Sequence, residues 1–311
     1  DELRAEVGCA PSRLPGRVAD GDRRPARRAT GLALRLRYRE PNALDGVWGY
    51  LGARLIPGVE RLDDTTIVRQ VRTTAGPAEV AVEPPAHGCV RVRLALPELD
   101  SLGSTVAPVR RWLDLDADPV AVDTALSADP SLAGLVHAQP GMRVPGSVDG
   151  FELAVRAVVG QQVSVAGART MLGRIAERLG TAGVMPSAGD VADAGPEALA
   201  ALGLTGRRAR TLVALASAVA AGHLVLDAGA DRAETRARLI ELPGIGPWTA
   251  EYVALRALGD PDAWPGTDLV LARRVSAAGL DPTRWRPWRG YAAMHLWTAQ
   301  SPLPSTTKET S

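Results

Sequence analysis

The sequence predicts an α+β protein: an antiparallel sheet domain with flanking helices, followed by helices over the rest of the chain. Three observations carry this. Leu32, Leu34, Leu36 and Tyr38 alternate with arginines, the period-two signature of a strand with one face buried and one in water. Further strand-like runs follow at 65–73, 78–82 and 89–96, the last alternating through Val90, Val92 and Leu94. From Asp118 the pattern changes to helical spacing with short connections.

The elements follow in order. Residues 1–30 are rich in Arg, Gly and Pro without periodicity and read as a linker, the stump of an upstream domain. A helix over 43–55 interrupts the strands, and a helix over 106–115 closes an antiparallel α+β domain spanning 31–117. Helices are expected at 118–127, 131–138, 150–159, 162–180, 195–202, 206–221, 231–241, 248–258, 268–278 and 288–299, filling a helical region of 118–300. Segment 162–180 places Val163, Ala166, Thr170, Ile175 and Leu179 near helical spacing, and Pro-Gly pairs at 140–141, 145–146 and 265–266 mark breaks. The polar stretch 301–311 reads as a loose tail.

Composition narrows the function. The 311 residues carry a formal net charge of +1, so contact with nucleic acid must come from local patches rather than bulk charge. No apolar run approaches the roughly 18 residues of a membrane span, and a cytoplasmic monomer is expected. Cys9 and Cys89 have neither disulfide-framework nor metal-ligand spacing, and His87, His137, His223 and His295 are scattered, so neither a metal nor a cofactor is expected. Lys308 is the only lysine. Five of the seven tryptophans lie from Trp248 onward, which makes a Trp-rich cleft a candidate feature.

The sharpest local signal runs from Leu242 to Ala250, Leu-Pro-Gly-Ile-Gly-Pro-Trp-Thr-Ala. Gly244 and Gly246 around one apolar residue let the backbone turn tightly and approach a ligand closely. The helix that opens at once points unpaired amides outward, and its dipole favours an anion there. Pro247 has no N–H, so Gly246, Trp248 and Thr249 are the donors expected to hold a DNA phosphate. Arg207, Arg208 and Arg210 upstream add cationic charge, although such a run on its own is ordinarily a solvated helix face. Asp268 follows the Pro265-Gly266 break and opens an apolar helix. By itself it is a helix N-cap, a role that also fixes a carboxylate rigidly at the edge of a cleft.

Hairpin, following helix and Asp268 together resemble the helix-hairpin-helix DNA glycosylase superfamily, and within it the bacterial 3-methyladenine DNA glycosylase II family. The resemblance covers about residues 31–300. It extends to Trp48-Gly49-Tyr50-Leu51, to the run from Val158 to Val165, and to Trp285–Arg289 with His295-Leu296-Trp297. It implies a sheet domain followed by two all-α domains with the cleft between them, and double-stranded DNA bearing alkylated bases as partner. It also implies Asp268 as the catalytic carboxylate, and Tyr50, Gln161, Trp248, Tyr252 and Trp297 around the flipped base. Gln162 falls where the family inserts a side chain into the vacated stack.

An alkylated purine is cationic, and electron-rich ring faces bind cations. Trp248 and Tyr252, four apart, share one helix face. Plain core packing competes with this reading for every Trp, and Trp285 and Trp288 are assigned to it. Members of the superfamily that also cut the strand use a hairpin lysine. Trp248 stands at that position, which implies hydrolysis of the N-glycosidic bond with no lyase step. The family can also be fused behind an adaptive-response regulatory half, a role residues 1–30 would fit. A non-catalytic DNA-binding module would use the hairpin without needing Asp268.

Overall fold

The computed structural model describes Ser12–Arg13 and residues 30–299. The remainder of the expected 1–30 linker and the tail 301–311 lie outside the described residues.

Six strands form one antiparallel sheet in the order β1-β2-β6-β5-β4-β3: β1 Ser12–Arg13, β2 Thr30–Arg37, β3 Glu60–Asp63, β4 Thr66–Thr73, β5 Gly76–Val82 and β6 Cys89–Leu96. Register pairs Leu34 with Val92 and Leu36 with Val90, so both strands bury the same face. That face is covered by α1 (Leu44–Gly52) and α2 (Leu102–Trp112) through Leu44, Val47, Val106, Val109 and Trp112. The short β3 has no alternating apolar residues to betray it. Its one buried residue is Glu60, held by an ion pair to Arg69 rather than by apolar packing.

Among the described residues ten helices follow: α3 Pro119–Ser127, α4 Pro130–Ala138, α5 Gly150–Val159, α6 Val165–Leu179, α7 Ala188–Ala201, α8 Gly206–Ala220, α9 Arg232–Glu241, α10 Pro247–Arg256, α11 Leu269–Ala278 and α12 Arg289–Thr298. Asp118, Asp129, Asp149, Ser164, Ser187, Thr205, Asp231 and Asp268 cap eight of them through their side chains. Helix α7 begins seven residues before the expected start at 195. A reciprocal capping box of Ser187 and Asp190 opens it, and Gly195, at φ 74°, interrupts it where the sequence pattern places the start.

The helices enclose two cores that do not follow chain order. One is built from α5 to α9 with Ala250 and Val253 of α10. The other joins α3 and α4 to Ala254 and Leu255 of α10, then α11 and α12. Helix α10 therefore belongs to both, and its side chains at the seam face a cleft. Trp285 is sealed in the second core with its indole N–H on Asp129, and Trp288 packs at its edge.

Two polar joints fix the sheet to the helices. Arg69 of β4, 3% exposed, reaches Glu60 and Glu152, each at 2.7 Å, while Arg156 reaches the same two carboxylates at 2.8 and 2.7 Å. Two positive and two negative charges thus neutralise each other out of water, which is what makes their burial tolerable. In the second joint, Asp114 accepts from the Val144 amide at 2.9 Å and the Tyr291 hydroxyl at 3.0 Å. Burial pushes its carboxyl up to about 6.

Candidate active site

A cavity of about 480 Å³ opens where the sheet domain meets the two helical cores. Tyr50 of α1, Trp248, Tyr252 and Arg256 of α10, Asp268 and Trp297 line it.

Asp268 is the N-cap of α11. Its Oδ1 accepts from the amides of Val270 at 2.9 Å and Leu271 at 3.1 Å. The same carboxylate takes two indole N–H groups, from Trp297 on Oδ1 at 3.1 Å and from Trp248 on Oδ2 at 3.2 Å. Gly266 makes the approach to this cap possible, because a Cβ there would stand 2.5 Å from the Trp264 indole nitrogen. Four donors thus hold one anion in a fixed orientation at the cavity wall.

Trp248 continues the arrangement inward. Its ring stacks on Tyr252 with centroids 5.1 Å apart and planes at 17°, as the i, i+4 spacing on α10 allows. Tyr50 and Tyr252 bring their hydroxyl oxygens to 2.8 Å, and buried Arg256 donates to both, to Tyr252 at 2.5 Å. Burial pushes the Tyr50 phenol up to about 12. At Tyr252 burial acts in the same direction, but the Arg256 charge and the hydrogen bonds from Tyr50 and Arg256 overcome it and hold the phenol below its ordinary value. The guanidinium carbons of Arg54 and Arg256 lie 3.8 and 4.7 Å from the Tyr50 ring centroid, so that ring already serves two cations. Arg54 and Arg256 are absent from the sequence reading. Each stands four residues after a tyrosine assigned to the pocket, which is the signal that could have found them.

The hairpin lies between α9 and α10. Gly244 has φ 86°, and a Cβ on it would meet Thr211 Oγ1 of α8 at 2.1 Å, so no other residue fits without displacement. Ile245 turns inward, 5% exposed. Gly246 is the N-cap of α10 and offers no side-chain cap, while a Cβ built on it meets nothing within 4 Å. That combination leaves an open, amide-lined helix start. Thr249 is 2% exposed and its hydroxyl is turned inward.

Gln161, expected around a flipped base, requires a correction: it does not line this cavity. Its side-chain amide donates to Thr249 Oγ1 at 3.0 Å and to the Gly244 carbonyl at 3.3 Å, and Arg208 donates to the Gln161 main-chain carbonyl. It braces the hairpin from behind because these partners satisfy its amide more fully than an open cavity could. Gln162, next along, is exposed and held at φ 54°, a left-handed conformation uncommon for a side-chain-bearing residue, while its neighbours Gly160 and Val163 line the cavity. Among the described residues no cluster of three or more His, Cys, Asp or Glu is placed to hold a metal, and no helix is long and apolar enough to cross a membrane.

A sheet domain leading into two helical lobes, with a Pro-Gly-Ile-Gly hairpin and a capped aspartate beside the cleft, defines the helix-hairpin-helix class of base-excision proteins. The model of the AlkA N-terminal domain matches residues 33–149, and that of the HhH-GPD superfamily base excision DNA repair protein matches residues 155–287. DNA-3-methyladenine glycosylase 2 of Escherichia coli is 32% identical over 86% of this chain and 98% of its own length. The chain belongs to the DNA-3-methyladenine glycosylase 2 family of that superfamily. A Mycobacterium tuberculosis relative, described as a probable bifunctional transcriptional activator/DNA repair enzyme AlkA, is 41% identical over 96% of this chain. The chain spans 63% of that relative's length. Among solved structures, the 3-methyladenine DNA-glycosylase from Archaeoglobus fulgidus shares the fold, with a TM-score of 0.72, 21% identity, and 85% and 96% of the two chains covered.

Proposed function

We propose that the chain excises alkylated purines of the 3-methyladenine type from double-stranded DNA, leaving an abasic site and no strand break. The observation that carries this is the Asp268 carboxylate, oriented by Trp248 and Trp297 at the wall of a cavity with room for a purine. As the bond from C1′ to the base breaks, its electron pair leaves with the base and positive charge builds on the sugar. A carboxylate already fixed in place stabilises that charge without reorganising at the moment of reaction. Water then bonds to C1′ and loses a proton, which Asp268 is positioned to take.

The base reaches the cavity by leaving the stack, since a duplex hides the bond to be cut. The hairpin amides anchor a phosphate, and Gln162 fills the gap left behind. The absence of any lysine but Lys308 supports hydrolysis over a Schiff-base lyase. The enzyme works as a monomer in the cytoplasm, where bacterial DNA lies. The bifunctional description of the mycobacterial relative supports an upstream regulatory half joined to this one.

Excision from methylated and untreated duplexes tests the proposal. Methylated purines should be released, strands should break only after alkali, and borohydride should trap no covalent adduct. Binding without release would leave a DNA-binding module, and an efficiently trapped adduct would make the enzyme a lyase.

A further inference from the structure

Three segments far apart in sequence close a triangle of contacts around Gln161. Its side-chain amide spans the hairpin, reaching the Gly244 carbonyl in the turn and Thr249 Oγ1 in the first turn of α10. Helix α8 supplies the other two sides. Arg208 donates to the Gln161 main-chain carbonyl, and Thr211, three residues on and so on the same helix face, lies against Gly244. The hairpin, the turn joining α5 to α6 and helix α8 thus hold one another at fixed separations.

What the triangle orients is the next residue. The Gln161 carbonyl and the Gln162 amide belong to one planar peptide unit, so fixing the first fixes the plane from which Gln162 leaves. Gln162 then takes φ 54°, a conformation that persists in a side-chain-bearing residue where its surroundings over-determine it. It is exposed, and Gly160 and Val163, on either side of the Gln161–Gln162 pair, line the cavity. Gln162 therefore stands at the cavity rim. Arg208 is half-buried against this turn, whereas Arg207 and Arg210 beside it are exposed.

Resting on the glycosylase reading above, we propose that Gln161 and Arg208 are positioning residues that set the Gln162 wedge in register with the phosphate held by the hairpin. Extracting a base needs the strand held at one point while the vacated stack is filled at another. Phosphates of one strand repeat about every 3.4 Å along the duplex axis, so a slip of the turn by a fraction of that step takes the wedge out of its gap. Gln161 and Arg208 act through Gln162 and not on the reacting bond. Their effect falls on extraction, the step that precedes chemistry at Asp268.

The test uses a strand with a single adenine, methylated and annealed to a complement that places either thymine or an abasic spacer opposite it. Release of 3-methyladenine is followed in single turnover with enzyme in saturating excess. Breaking a pair is part of extraction in the first duplex and absent from the second, so the ratio of the two rates reads extraction. Gln161→Ala should lower that ratio about tenfold relative to wild type, the scale of the hydrogen bonds lost. Arg208→Ala, which frees the same peptide plane, should lower it in the same direction. A brace that only stabilises the hairpin would slow both duplexes equally and weaken binding to plain duplex, and an unchanged ratio in both variants overturns the proposal. Gln162→Ala separates the layers. A ratio lowered there but not in Gln161→Ala or Arg208→Ala removes the coupling and keeps the wedge, whereas a ratio unchanged in all three removes the wedge as well. A wild-type protein that releases 3-methyladenine from neither duplex overturns the glycosylase reading itself.

Discussion

Trp297 gives its indole N–H to Asp268 Oδ1 at 3.1 Å, joining a wall of the cavity to the carboxylate beside it. One side chain thus both stacks and positions, and the two contributions can be separated. Trp297→Phe keeps a ring but loses the donor; it should fold normally and lose about tenfold in the rate of excision with little change in DNA affinity. Trp297→Ala also loses the stacking surface, worth about 1–3 kcal/mol for a base on an aromatic ring. Single-turnover kinetics beside binding isotherms decide the point. Equal losses in the two variants would show that the hydrogen bond alone matters.

The hairpin glycines should fail differently. Gly244→Ala puts a Cβ into Thr211 at a left-handed position and should lower the melting temperature. Gly246→Val places its side chain in open space at the start of α10, where only an approaching phosphate would meet it. It should keep most of its stability and lose affinity for lesion and plain duplex alike. A loss confined to lesion DNA would remove the phosphate anchor from Gly246.

Much of this architecture was legible because it is periodic or punctuated. The alternation in β2 and β6, the Pro-Gly-Ile-Gly turn and an aspartate opening a helix all act over a few residues. What escaped is held by contacts distant in sequence. Strand β3 is fixed by the Glu60–Arg69 pair, and α10 is divided between two cores. Gln161 was drawn to the hairpin by partners 83 and 88 residues away. No local pattern encodes such pairs, and a glutamine at a motif edge reads equally well facing cavity or hairpin.

Acid stability should show two opposed groups. Burial holds the His295 imidazole down to about 4, with Nε2 lacking a partner. The unfolded chain takes up that proton first, so this contribution is lost as pH falls from about 6.5 to 4. Asp114, pushed up to about 6 by burial, does the reverse: its contribution is full below about 4 and is lost as pH rises through 6. The two nearly cancel in the wild type. His295→Leu should therefore become more stable between pH 6.5 and 4.5, as measured by urea unfolding. A variant that loses stability over that range would contradict the assignment.

Below pH 4.5 the buried joint takes over. Burial alone would raise the Glu152 carboxyl, but Arg69 and Arg156 overcome it and hold it at about 2. Stability should then fall as pH drops from about 4.5 toward 2, as the unfolded chain binds the proton first. Glu152→Gln should cost about 3–5 kcal/mol at neutral pH by leaving the network with an unbalanced buried charge. It should also flatten that acid limb. A loss below 1 kcal/mol would mean that water reaches the joint.

Asp268→Asn separates the catalytic role proposed for this residue from its role as a cap. The amide oxygen can still accept from Val270 and Leu271, so α11 keeps its start. The amide nitrogen would then face the Trp248 indole N–H, donor against donor, where Oδ2 now accepts at 3.2 Å. A modest loss of about 1–2 kcal/mol in stability is therefore expected, short of unfolding. Excision should fall much further, by about two to three orders of magnitude, the scale seen when one preorganised group opposite a developing charge is removed. Affinity for lesion DNA should hold or rise, because a negative charge beside a polyanion is gone. Wild-type excision with lowered melting would leave Asp268 a helix cap and the cavity without its catalyst.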